Sequence, residues 1–192
     1  MRVIFYASNG FGLGHLMRTM AIGRALRSRV KEAEIIFMTN SEASQLAWQE
    51  GFTTVKLMSR FSAPRGRPDP DRMVEVNRAI VAATLRSFEP NAMVVDSYPR
   101  GAMRELTPML RYPSCRKVFI YREKNEEKRH NEMLLHILDK YYEFVVVPHR
   151  EAEFSMPIPD GLETVYADAI MIRGKEEALP RDEARRRLGF PA

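Results

Sequence analysis

His15 and Arg18 stand three positions apart, directly behind the alternating glycine run Gly10-Phe11-Gly12-Leu13-Gly14. An imidazole exchanges protons near neutral pH, so a histidine here can serve as a general base. Gly12 and Gly14 let the backbone turn sharply and approach a ligand closely, because no Cβ intervenes. The run leads from an apolar strand, Val3–Tyr6, into a helix expected from Leu16 to about Arg29. It therefore delivers His15 to a helix start, where free N–H groups and the helix dipole favour an anion. Arg18 shares a helix face with His15. Two readings stay open on this loop alone: a loop that binds phosphate and moves a proton, or a tight strand-to-helix turn.

Asp96 closes a second apolar run, Ala92–Val95, and is followed by Ser97-Tyr98-Pro99-Arg100-Gly101. A carboxylate at a strand end can orient His15 or accept a hydrogen bond from a ligand hydroxyl; it can equally form a turn before Pro99. Ser97 and Tyr98 are candidate ligand contacts, although Tyr98 also fits a packed aromatic. Arg122 follows the run Lys117–Tyr121 beside Glu123, and His149 follows Phe144–Val147. Both are candidate binding residues by their place at strand ends, against the ordinary reading of solvated surface groups. His130 and His136 lie six apart and so on different helix faces, a poor metal pair. The single cysteine, Cys115, excludes an internal disulfide and offers no metal-binding spacing. No metal site is expected.

These residues need a scaffold that brings strand ends together. Apolar runs at Val3–Tyr6, Glu34–Met38, Thr53–Leu57, Ala92–Val95, Lys117–Tyr121 and Phe144–Val147, with a short last one at Leu162–Val165, read as strands. Most lack alternation, as parallel strands covered on both faces do. Helices are expected at Ser41–Glu50, Asp71–Phe88, Gly101–Leu110 and Asn125–Leu138. The third strand's helix would bury Val74, Val81, Leu85 and Phe88, and the last helix Met133, Leu134, Ile137 and Leu138. The alternation predicts an α/β fold, a doubly wound parallel sheet of six or seven strands with the first strand central. Ligands of such sheets bind beyond the carboxyl ends of the strands.

Bulk properties narrow the classes. The chain has 192 residues, 45% hydrophobic and 29% charged, enough for one core. The net charge of +5 comes from bases spread among acids, with no basic run interleaved with aromatics, so nucleic acid is not an expected partner. Arg60, Arg65, Arg67 and Arg72 cluster around Phe61-Ser62-Ala63-Pro64. That loop reads either as a peripheral contact with an anionic membrane surface or a phosphorylated acceptor, or as a solvated loop. No apolar run spans a bilayer and no signal-peptide pattern opens the chain, which makes the cytoplasm the expected location. The glycines run G-x-G-x-G rather than G-x-G-x-x-G, and the second strand ends in Thr39-Asn40 rather than an acid, against a dinucleotide site.

The segment GLGHLMR resembles the first loop of GT-B glycosyltransferases. It is similar to the group around the lipid-linked N-acetylglucosaminyltransferase of peptidoglycan synthesis, and to predicted glycosyltransferases and UDP-sugar hydrolases with a G-x-G-H-x-x-R signature. D-S-Y-P-R-G followed by Glu105-Leu106 resembles the D-x-x-P-x-G-x-x-x-E-L stretch of the predicted group, and Tyr141-Tyr142-Glu143-Phe144 the start of its Y-D-x-V-x-V strand. The resemblance implies a Rossmann-like half of a GT-B architecture. It assigns His15 as base, with Asp96 beside it in the cleft, Gly12 and Gly14 shaping the loop, and Arg18 next to the base. It implies a nucleotide-sugar as donor substrate, an acceptor hydroxyl, and no further cofactor. The stretch Leu179-Pro180 to Leu188-Gly189-Phe190-Pro191 resembles the segment that joins the two halves in these families. Residues 1–170 are thus expected to form the acceptor-binding domain, and 171–192 the link to a C-terminal donor domain or a cue to a separate donor subunit. Alternatives are a nucleotide-sugar hydrolase and a non-catalytic acceptor-binding subunit of a two-chain transferase. The chain alone is expected to be inactive.

Overall fold

The computed structural model describes residues 1–8, 12–59, 69–112, 114–123 and 132–190. Gly10 and Phe11, the arginines Arg60, Arg65 and Arg67 with Phe61–Pro64, and His130 with the start of the helix expected from Asn125 lie outside them.

The apolar runs become seven strands: β1 Arg2–Ala7, β2 Glu34–Thr39, β3 Thr53–Lys56, β4 Ala92–Asp96, β5 Arg116–Ile120, β6 Phe144–Val147 and β7 Glu163–Tyr166. They form one sheet in the order β3-β2-β1-β4-β5-β6-β7, every pair parallel. The strand progression reverses at β1, so β1 and β4 lie side by side at the centre. Parallel neighbours need crossovers, and the helices α1 Gly14–Arg29, α2 Gln45–Gln49, α3 Pro70–Phe88 and α4 Glu132–Tyr141 supply most of them. Successive residues of β1 serve opposite faces. Phe5 packs with Leu16 and Met20 of α1 and with Phe37, while Tyr6 packs in the other layer, which holds Val81 and Leu85 of α3 and Leu138 of α4.

Local chemistry sets the helix bounds. Asp69 accepts the Arg72 N–H at 3.1 Å and Pro70 opens α3, while Glu89 ends it in the left-handed region before Pro90. The buried row of α3 is Met73, Asn77, Val81 and Leu85; Val74 and Phe88 are only half-buried. Asn77 is tolerated there because its side-chain amide holds the Met58 N–H and C=O, at 2.8 and 3.1 Å. In α4, Leu134, Ile137 and Leu138 face inward as expected, but Met133 is exposed.

Several expected elements differ, among them the fifth strand, Arg116–Ile120 rather than Lys117–Tyr121, and the last expected helix, which runs to Tyr141 rather than Leu138. The helix at Ser41–Glu50 shrinks to Gln45–Gln49, because Ser41 and Thr39 spend their hydroxyls on turn N–H groups. The last strand is Glu163–Tyr166, one residue later than Leu162–Val165. Gly101–Leu110 is not a helix: it is a series of turns ending in a single 3-10 turn, Met109–Arg111.

Beyond β7 the chain crosses to the α1 face, where Ile172 packs on the core. Arg24 of α1 donates to the Ile172 carbonyl at 2.8 Å and to Glu177 at 2.9 Å, and Arg173 pairs with Glu50. The final helix, α5 Arg181–Arg187, buries no residue. Backbone amides of Arg185–Leu188 should therefore exchange with solvent orders of magnitude faster than those of β1 in hydrogen-exchange mass spectrometry. Equal protection would mean that α5 is packed.

Candidate functional site

The register aligns Ala7, the last residue of β1, with Asp96, the last residue of β4. Parallel pairing thus places the acid beside the strand that feeds the glycine loop. Gly12 adopts φ +80°, a conformation open to glycine at little cost, and α1 begins two residues later. His15 then occupies the first turn of α1 at the carboxyl edge of the sheet.

The side chains converge on one carboxylate. Asp96 is fully buried, and among the described residues four donors reach it. Arg18 reaches it side-on, Nε to Oδ2 at 3.0 Å and Nη2 to Oδ1 at 2.8 Å. The Ser97 hydroxyl donates to Oδ1 at 2.6 Å. His15 Nδ1 lies 3.1 Å from the same oxygen. We assign the ring proton to Nδ1, since a lone pair there would face a carboxylate; Nε2 is then the free base. Burial pushes the Asp96 carboxyl up, but the hydrogen bonds and charges of His15 and Arg18 outweigh it and hold the carboxyl below its ordinary value. The rings of His15 and Tyr98 meet edge to face with centroids 6.0 Å apart.

The loop after β4 is wound around this carboxylate. Ser97 takes φ +63°, and the Tyr98 N–H turns back to the Asp96 carbonyl at 2.8 Å, so Tyr98 is thrown outward and stays 47% exposed. Tyr142 pins the next residue, donating to the Pro99 carbonyl at 2.7 Å. A second buried carboxylate then stops helix formation. Glu105 accepts from the Tyr6 hydroxyl of β1 and from the Met103 N–H at 2.8 Å, and Tyr6 in turn accepts the Ala102 N–H at 3.2 Å. Burial first, and the Glu105 charge second, push the Tyr6 phenol well above its ordinary value, so it remains a donor. Gly101, at φ +84°, brings its backbone against that carboxylate: a Cβ would stand 2.5 Å from Oε2.

The expected site residues separate into two groups. His15, Arg18, Asp96, Ser97 and Tyr98 come together, with Gly12 and Gly14 in the loop that carries them. Arg18 and Ser97 spend donors on Asp96. Arg122 is exposed on the loop after β5. His149 Nε2 accepts the Glu123 N–H at 3.1 Å and its ring stacks near Phe154, so it fastens the loops after β5 and β6 to each other. Sequence reasoning missed Tyr6 and gave Glu105 no role. The hydroxyl of Tyr6 in an apolar central strand, and a glutamate spaced among Met103, Leu106 and Leu110, are the signals that were available.

The sheet order, the crossovers and the acid-histidine pair at the central carboxyl edge define a Rossmann-like α/β domain, with the fold of one half of a GT-B architecture. No family model and no curated protein sequence matches the chain, but solved structures do. It is similar to a glycosyltransferase of Rickettsia africae (11% identity, 100% of this chain and 50% of that one, TM-score 0.58). It is also similar to MurG of Acinetobacter baumannii (12%, 86% and 45%, TM-score 0.60) and to Alr3699/HepE of Anabaena, solved with UDP-glucose (11%, 98% and 50%, TM-score 0.59). The chain spans about half the length of these proteins.

Two measurements bear on this geometry. The lowered carboxyl of Asp96 gives stability that is present above the ordinary carboxylate range and is lost as pH falls through that range and below it. Asp96→Asn cannot titrate, so its thermal midpoint should fall less steeply on acidification than that of the unsubstituted chain. Gly101→Ala should lower stability by about 1–3 kcal/mol in urea unfolding, through backbone strain and the clash with Glu105; a neutral effect would mean that the turn relaxes freely.

Proposed function

We propose that this chain is the acceptor-binding half of a GT-B glycosyltransferase that moves a sugar from a nucleotide-sugar to an acceptor hydroxyl. The observation that carries the reading is the His15–Asp96 pair: Nδ1 is held by a buried carboxylate at 3.1 Å, which leaves Nε2 as a base at the mouth of the central strands. In the reaction Nε2 takes the proton of the acceptor hydroxyl. The acceptor oxygen forms a bond to the anomeric carbon, and the bond from that carbon to the diphosphate breaks with its electron pair on the leaving oxygen. Asp96 stabilises the imidazolium formed. Tyr98 lies beside the ring and offers an exposed aromatic face to the acceptor. Leu13 makes no side-chain cap and the first turn of α1 holds no acid, so its N–H groups stay available to an anionic part of the substrate.

This reading puts the donor site in the half of the similar proteins that the chain does not span. Residues 171–192 would form the link to it, or the donor half would be a separate subunit. No described helix is long and apolar enough to cross a membrane.

The test uses the protein joined to its donor half. His15→Ala should lower kcat by roughly 10²–10⁴-fold with the fold intact by circular dichroism. A rate near that of the unsubstituted protein would reduce the glycine loop to a turn. Free sugar released from the nucleotide-sugar without any acceptor would make water the acceptor and the protein a hydrolase.

A further inference from the structure

The triad around Asp96 contains one more charge than a base and its orienting acid require. A buried carboxylate must be paired, and two cations are in reach: the guanidinium of Arg18, with two hydrogen bonds, and an imidazolium on His15, with one. The two compete for the same charge. Arg18 is always protonated and its planar fork matches a carboxylate side-on. It satisfies Asp96 whatever the state of the ring. Its Nη2 also lies 3.2 Å from His15 Nδ1, so a second positive charge on the ring is opposed from close by.

We propose that Arg18 is a positioning residue, the fixed counter-ion of Asp96, which keeps the carboxylate from drawing a resting proton onto His15. With Arg18 in place, the resting triad is guanidinium, carboxylate and neutral imidazole. Nε2 keeps its lone pair, and Asp96 still receives the Nδ1 proton that fixes the tautomer. Without Arg18, the remaining partner at the carboxylate among the described residues that can become cationic is His15. The ring then takes a proton to fill that role and ceases to be a base. Among the described residues, the titratable and charged groups facing His15 are Asp96 from β4, Arg18 from its own helix and Tyr98 from the loop after β4. That the ring's neutrality serves catalysis rests on the function proposed above; the charge balance itself does not.

The experiment is nitrogen-15 NMR of the histidine side chains in this chain near neutral pH, with the His15 signals assigned by their loss in His15→Gln. The unsubstituted chain and Arg18→Lys should show a neutral ring with hydrogen on Nδ1. Arg18→Gln should show the doubly protonated ring. A neutral ring in folded Arg18→Gln overturns the proposal. If that variant does not fold, Arg18→Ala, which keeps the Asp96 carboxylate, is folded with added guanidinium ion in place of the lost fork, and the spectra are followed as the ion is removed. The ring should be neutral with the ion bound and doubly protonated as it leaves; a ring that stays neutral overturns the proposal. A His15→Ala enzyme of undiminished rate would remove the base reading and leave these spectra unaffected.

Discussion

A single buried carboxylate holds the centre of this molecule in its working form. Asp96 ends the strand next to β1, and the two side chains that reach it from α1 come from a helix that β1 itself launches. The acid is therefore both a strand terminus and the point at which α1 is tied to the sheet. Its charge is affordable only because Arg18 lies side-on to it; removing one member of such a pair costs on the order of 3–5 kcal/mol. The hydroxyl of Ser97 and the ring of His15 both add to Oδ1. The helix cannot rotate, nor the loop after β4 unwind, without exposing an ion to an apolar interior.

A second acid organises the other side of the same strand end. Tyr6 and Ala7 are consecutive: the tyrosine hydroxyl meets Glu105, and the alanine is aligned with Asp96. The end of β1 thus indexes two carboxylates, one on each side of the strand tip. Glu105 binds backbone N–H and phenol rather than a cation, so its work is local: it folds the chain after Gly101 into turns and brings Leu106 and Leu110 into the core. The outward throw of Tyr98 and the inward pull of Glu105 are parts of one loop conformation, anchored at its middle by the Tyr142 hydroxyl.

The sheet was legible in the sequence because its strands are continuous apolar runs bounded by polar turns, and because β-α alternation admits few topologies. The pairing of His15 with Asp96 was legible for the same reason, since Asp96 ends one central strand and His15 opens the helix that follows the other. The stretch Gly101–Leu110 was not. Met103, Leu106 and Leu110 recur at helical spacing, and nothing local reveals that Glu105 will be buried and take the Met103 N–H for itself. Arg18 was legible as a neighbour of His15 but not as a partner of Asp96, which lies 78 positions away in the chain. His149 showed its edge position in the sequence but not its bond to the Glu123 backbone. Met133 shares the apolar character of its neighbours but lies exposed beside the buried row Leu134, Ile137 and Leu138.

The tail's attachment has a mechanical meaning. Arg24 grips residues 172–177, and it stands six positions after Arg18 on the same unbroken helix, about 9 Å along its axis at ~1.5 Å per residue. The helix is thus tied at two points, to the sheet through Asp96 and to the departing chain through Arg24, with its buried face of Leu16, Met20 and Gly23 between them. The path taken by the chain beyond β7 and the seat of His15 are therefore set by one and the same rigid element.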